Sequence, residues 1–166
     1  MLDEADISRF VHEDYPRLVN AVALVTGSVD VAEELVQEAT ARAWDQASRG
    51  RAIESLPNWV AAVALNLARS RWRRLAAERK AHSRFASRGS TPAPNEDRLE
   101  VEAAVASLPR RQREVAVLRY LIGMSTAETA EVLRISEGTV KNSLAKARVA
   151  LAVSLRIKDV DDVTDR

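Results

Sequence analysis

Ser125-Thr126-Ala127-Glu128-Thr129-Ala130-Glu131-Val132-Leu133-Arg134-Ile135-Ser136-Glu137-Gly138-Thr139-Val140-Lys141-Asn142-Ser143-Leu144 contains two helix starts separated by a sharp turn. Ser125 with Glu128 three residues on forms a capping box, in which side chain and backbone satisfy each other's orphan donors. Ala130 is small where two helices must approach closely, Ile135 falls in the turn, and Ser136 can cap the second helix. Val140, Leu144, Ala147 and Leu151 then recur at spacings of four, three and four, giving that helix one apolar stripe. Its other face offers Thr139, Lys141, Asn142, Lys146 and Arg148. A helix packed on one side and polar or basic on the other can lie in the major groove with its N-terminal residues at base edges. An ordinary helical hairpin is the plainer alternative, but caps, small residue and stripe together favour a helix-turn-helix. Arg134 stands where such turns usually carry Gly. A left-handed backbone there costs about 1 kcal/mol or more for a residue with a Cβ, so a turn of different local geometry is expected.

Upstream of this motif, Leu99–Ser107 reads as a short helix, and Pro109 starts another that ends at Gly123. Residues 81–97 lose periodicity and carry Gly89, Pro92 and Pro94, the marks of a linker. Fully extended, that segment reaches about 55–60 Å. Before it, residues 7–25 form an amphipathic pattern interrupted by Pro16, which predicts a kink or a second start near Asp14. Gly27 closes this segment and Asp30 opens the next, helical from Val31 to Ala47 with Leu35, Ala39 and Trp44 on one side. Residues 48–55 read as a loop, and Pro57 suits the first turn of a helix running to about Lys80. The expected fold is therefore all-α, with two small helical domains joined by an extended linker. They divide as residues 1–80, linker 81–97, residues 98–155, and a short disordered tail 156–166.

Composition agrees and excludes much else. The 166 residues include 5 Gly and 5 Pro, little material for a turn-rich β fold. With no Cys, disulfides, thiolate metal sites and cysteine nucleophiles are excluded together. His12 and His82 cannot build a histidine-rich metal centre, and no Ser/His/Asp set or Gly-rich phosphate loop appears. No cofactor, metal, catalytic residue or small-molecule substrate is therefore expected. No stretch approaches the eighteen apolar residues of a membrane span, and the N-terminus is acidic where a signal peptide is basic. A cytoplasmic location without membrane insertion is expected.

The net charge of +1 hides a strong asymmetry. Residues 1–60 carry a net of −6, whereas residues 69–88 carry eight basic side chains against Glu78 alone. Arginines at that density suit a polyanion, because each neutralised phosphate releases counterions. A solvated acidic face followed by a basic linker is the plainer alternative.

Particular runs narrow the choice. Leu108-Pro109-Arg110-Arg111-Gln112-Arg113-Glu114-Val115, Leu118-Arg119-Tyr120 and Gly138-Thr139-Val140-Lys141 resemble region 4 of bacterial sigma-70-family factors. That resemblance implies a domain that reads the −35 promoter element through Thr126, Glu137, Thr139, Lys141, Asn142, Lys146 and Arg148. Response-regulator effector domains carry similar Gly-Thr-Val-Lys helices, so the first half of the chain decides. Asp30-Val31-Ala32-Glu33-Glu34-Leu35-Val36-Gln37-Glu38 with Ala43-Trp44 resembles regions 2.1–2.2 of the same family. It implies docking of Asp30, Glu34, Leu35, Gln37 and Glu38 on the β′ clamp of core RNA polymerase, with the β flap as a second contact. Leu56-Pro57-Asn58-Trp59-Val60, Asn66-Leu67-Ala68 and Arg69-Ser70-Arg71-Trp72-Arg73-Arg74 resemble regions 2.3–2.4. They imply −10 recognition by Arg51, Asn58, Asn66, Arg69, Arg71, Arg73 and Arg74, with loop 48–57 as a pocket for a flipped base. Trp59 and Trp72 are expected in the core rather than as stacking platforms.

The resemblance covers roughly residues 7–153 and leaves no room for regions 1.1 and 3, which is the extracytoplasmic-function (ECF) pattern. It implies three partners: core polymerase, promoter DNA and an anti-sigma factor. Weak affinity for free DNA is expected until polymerase brings the two domains into register, because the net charge is near neutral and the acidic first half repels phosphate. A stand-alone helix-turn-helix regulator, dimeric on a palindrome, is the alternative.

Overall fold

The computed structural model describes residues 4–81 and 96–155, which form helices and connecting turns with no strand among them. Residues 82–95 of the expected linker and the expected tail 156–166 lie outside the described residues. The chain divides into two compact units, Met1–Thr91 and Pro92–Arg166.

In the first unit, α1 spans Glu4–Arg9, a π-helical turn follows over Phe10–Asp14, and α2 spans Tyr15–Thr26. Pro16 explains the interruption. It has no N–H to give His12, and its ring crowds that carbonyl. The backbone answers with a wider turn in which the Tyr15 N–H reaches the Phe10 carbonyl, so the helical path continues rather than restarting. Phe10 is buried there and meets Tyr15 edge to face, ring centres 6.4 Å apart. Gly27 ends α2 in the left-handed conformation, φ 77°. The next helix, α3, spans Val29–Ser48, and Ser28 rather than Asp30 caps it by accepting from the Val31 N–H at 3.3 Å. Helix α4 spans Leu56–Ala81, with the Ser55 side chain at its start accepting from Asn58 N–H at 3.4 Å. Leu18, Val22, Val36, Val60 and Leu65 are fully buried where α2, α3 and α4 pack together. Each such side chain contributes about 1.5–3 kcal/mol through burial.

The second unit comprises α5 (Glu96–Ser107), α6 (Arg110–Ala116) with a π-helical turn at Val117–Ile122, α7 (Thr126–Leu133) and α8 (Glu137–Ser154). Its core gathers Leu108, Val115, Leu118, Met124, Val140 and Ala147. Arginines tie its helix ends together. Arg113 donates to the Ala106 and Leu108 carbonyls at 2.5 and 3.0 Å, Arg111 to that of Leu133 at 3.4 Å, and Arg119 to that of Met124. Burial holds the Arg113 pKa below its ordinary value, opposed by the nearby Glu114 carboxylate. Glu114 is itself 1% exposed, with Arg110 Nε at 3.4 Å from its carboxylate.

The expected capping box is present in full, Ser125 Oγ accepting from Glu128 N–H and Glu128 accepting from Ser125 N–H. Ser136 caps α8 through the Thr139 N–H at 3.1 Å. The turn between them corrects the sequence expectation. Arg134 adopts the left-handed conformation, φ 52° and ψ 52°, so the turn keeps its usual geometry in spite of the Cβ. Flanking caps and the buried Leu133 leave the chain no other path. Arg134→Gly is therefore expected to raise stability by about 0.5–1 kcal/mol as strain is relieved, less glycine's added unfolded-state entropy. Urea unfolding of the two proteins checks this, and an unchanged or lower midpoint contradicts it.

Candidate functional site

Three helical surfaces carry the residues singled out by sequence. On α3, Asp30, Glu34, Gln37 and Glu38 are all exposed. At about 100° per residue they fall within one third of the helix circumference. Leu35 does not join them. It is 4% exposed and packs in the core with Ala32, Val36 and Ala39, so this exposed face of α3 is purely polar. Trp44 is also corrected: it is 56% exposed and not on the side of Leu35 and Ala39. Nine residues beyond Leu35 the helix has turned about 180°. Its indole instead lines an apolar groove of about 280 Å³ with Ile7, Phe10, Ala43 and Leu56. Glu38 is paired within the helix to Arg42 at 2.6 Å.

The second surface is the outer side of α4. Asn66 and Arg73 are exposed, with Asn58 and Arg69 partly buried on the same flank, and exposed Arg74 lies about 80° further round from Asn66. Arg51 is exposed in the loop between α3 and α4. Arg71 departs from this group, lying about 140° round the helix from Asn66. There its Nη1 donates to Glu34 Oε2 at 2.8 Å, joining α4 to α3. This pairing across 37 residues was invisible to local spacing. Trp59 and Trp72, expected in the core, are only partly buried and stand outside the buried set.

The third surface is the solvent side of α8. Glu137, Thr139, Lys141, Asn142 and Lys146 are exposed at or after its N-terminus, whereas Val140 and Ala147 are fully buried behind them. Thr126 on α7 and Arg148 on α8 are partly buried at the edges of this surface. Gly138 leaves the first turn bare, since a Cβ there meets nothing nearer than Ser136 Oγ at 3.9 Å. A nucleic-acid backbone can therefore approach the helix start, where unpaired N–H groups and the helix dipole favour anions. Among the described residues no cluster suits a metal ion, and no helix is long and apolar enough to cross a membrane.

The second unit thus holds a capped helix pair with an exposed polar second helix, and the first unit carries an acidic face and a basic face. Comparison with known proteins identifies the family. Residues 10–78 match the family model for sigma-70 region 2, and residues 98–151 match that for sigma-70 region 4. ECF RNA polymerase sigma factor SigL of Mycobacterium tuberculosis is 33% identical over 92% of this chain and 91% of its own length. ECF RNA polymerase sigma factor EcfG of Rhodopseudomonas palustris is 30% identical over 83% of this chain and 78% of its own. A Xanthomonas campestris protein named "Probable RNA polymerase sigma factor RfaY" is 30% identical over 80% of this chain, which spans only 36% of that relative. In fold, the chain resembles the sigma factor RpoE of Bartonella quintana, solved with the anti-sigma factor NepR. Their TM-score is 0.76 at 24% identity, covering 93% of this chain and 99% of that one. The chain belongs to the ECF RNA polymerase sigma factors of the sigma-70 family. Sigma factors are transcription initiation factors rather than enzymes.

Proposed function

We propose that this chain is a cytoplasmic promoter-specificity subunit without catalytic chemistry of its own, which binds core RNA polymerase and directs it to particular promoters. The observation that carries this reading is the separation of opposite charge on one small unit. Asp30, Glu34, Gln37 and Glu38 face outward from α3, and Asn66, Arg73 and Arg74 from α4, with Arg69 partly buried. An acidic face suits a basic helix of the polymerase β′ clamp, and a basic face suits promoter phosphates. Residues 1–80 would serve polymerase and the −10 element, with Arg51 and Asn58 beside the loop that receives an extruded base. Residues 98–155 would serve the β flap and the −35 element through Thr126, Glu137, Thr139, Lys141, Asn142, Lys146 and Arg148. An anti-sigma factor is the expected regulator, in keeping with the relative solved in complex with one.

In vitro transcription with purified core polymerase tests this directly. Transcripts with defined start sites are expected only when the chain is added. The double charge reversal Glu34→Lys with Glu38→Lys is expected to weaken core binding by at least about tenfold, since like charges facing across an interface cost several kcal/mol. Transcripts independent of the chain, or tight binding to a palindrome without polymerase, would overturn the proposal.

A further inference from the structure

The Arg71–Glu34 ion pair joins a residue of the basic α4 helix to one of the four polar residues on the proposed polymerase-docking face. Several other ion pairs are local to one helical stretch. Arg9–Asp6, Arg17–Asp14, Arg42–Glu38, Arg49–Asp45 and Arg110–Glu114 each lie three or four residues apart on one helical stretch. Such pairs form whenever the helix forms. Arg71–Glu34 requires α3 and α4 to be packed, and it engages Arg71 on a side of α4 about 140° round from Asn66. Its two side chains are 38% and 64% exposed, so water and competing charges reach both. A pair in that setting is weak enough to be exchanged for a better partner.

We propose that Glu34 withholds Arg71 from DNA in the free protein, and that a basic polymerase surface, on taking Glu34, releases Arg71 to a backbone phosphate. This rests on the proposed function and adds a mechanism to it. One carboxylate serves either an internal guanidinium or an external cation. Occupying it from outside therefore turns a residue of the first unit towards nucleic acid. The exchange replaces one internal ion pair by two external ones, Glu34 with a polymerase cation and Arg71 with a phosphate. A modest energy per step can thus couple polymerase docking to DNA capture.

The test is a double-mutant cycle on the full chain, read by fluorescence anisotropy with a labelled single-stranded oligothymidine across a salt series. Glu34→Gln is expected to tighten binding about two- to fivefold, the range of an exposed ion pair. It should also steepen the salt dependence by about 0.7, the contribution of one further phosphate contact on a single strand. Glu33→Gln, which removes the same charge from an exposed neighbour, is expected to change binding less. In an Arg71→Gln background the advantage of Glu34→Gln over Glu33→Gln should disappear. A gain equal to that of Glu33→Gln, or one that survives Arg71→Gln, overturns the pairing. In reconstituted holoenzyme the advantage should vanish again, because polymerase already occupies Glu34, and its persistence overturns the release step. Native-gel titration of the wild-type chain with core polymerase separates the two proposals. Failure to bind core sinks the proposed function and the release step together, whereas the withholding of Arg71 stands or falls on the cycle alone.

Discussion

Replacing Lys141 and Asn142 together by alanine is expected to reduce transcription from a −35-dependent promoter by about 30-fold or more. Both side chains are exposed on the first turns of α8, ahead of the fully buried Val140 and Ala147 that seat the helix. A well-formed contact from such a position to a base edge is worth about 1–3 kcal/mol, and two contacts multiply their effects on affinity. The loss should be specific. Binding to core polymerase should stay within about twofold, because surface substitutions away from a contact change little. Run-off transcription and core titration on the same preparations check both statements. A change in transcription below threefold would remove α8 as the principal reader of that element.

The second large effect concerns stability. Leu118 is fully buried at the centre of the second unit. Leu118→Ala is expected to cost about 2–5 kcal/mol, the lost burial plus the cavity left behind. Some sixty residues supply only about 3–9 kcal/mol of stability in total. The substitution should therefore leave the second unit partly unfolded near body temperature. Amide hydrogen exchange is the measurement. Protection across α6, α7 and α8 is expected to fall by orders of magnitude, and protection that stays at the wild-type level would contradict this account of the core.

What the sequence disclosed follows the range of the forces involved. Ser125 with Glu128, Gly27 and Gly123 act within one turn of the chain, and each occupies the terminal role its chemistry predicts. The stripe of Val140, Leu144, Ala147 and Leu151 is equally local, since the helix repeat alone aligns it. The failures have physical causes of their own. Leu35 was grouped with the polymerase-facing residues because it sits among acids in sequence, yet the same periodicity that exposes Glu34 and Glu38 turns it inward. Trp44 was assigned to the side of Leu35, although a spacing of nine is a half-integral number of turns. At Arg134, intrinsic backbone preference argued against the left-handed turn, and the combined demand of two capped helices overrode it. The burial of Glu114 and the reach of Arg71 to Glu34 depend on where helices meet, which no local pattern encodes. For the candidate surfaces, the residue types were legible and their facing was legible within one helix. The division of α4's arginines between an outer face and an internal partner was not.

The first unit also has a consequence for how the protein comes into being. Its helices stack on their neighbours in chain order, α2 on α3 and α3 on α4. Contacts between segments close in sequence require only short chain closures, and all-helical domains of this kind fold in microseconds to milliseconds. Ribosomes add about 5–20 residues per second. The first unit can therefore be complete soon after α4 clears the exit tunnel, while α8 is still being made. The first unit spends no appreciable time as an unfolded precursor. Folding of the first unit therefore adds almost nothing to the time that translation of the chain takes.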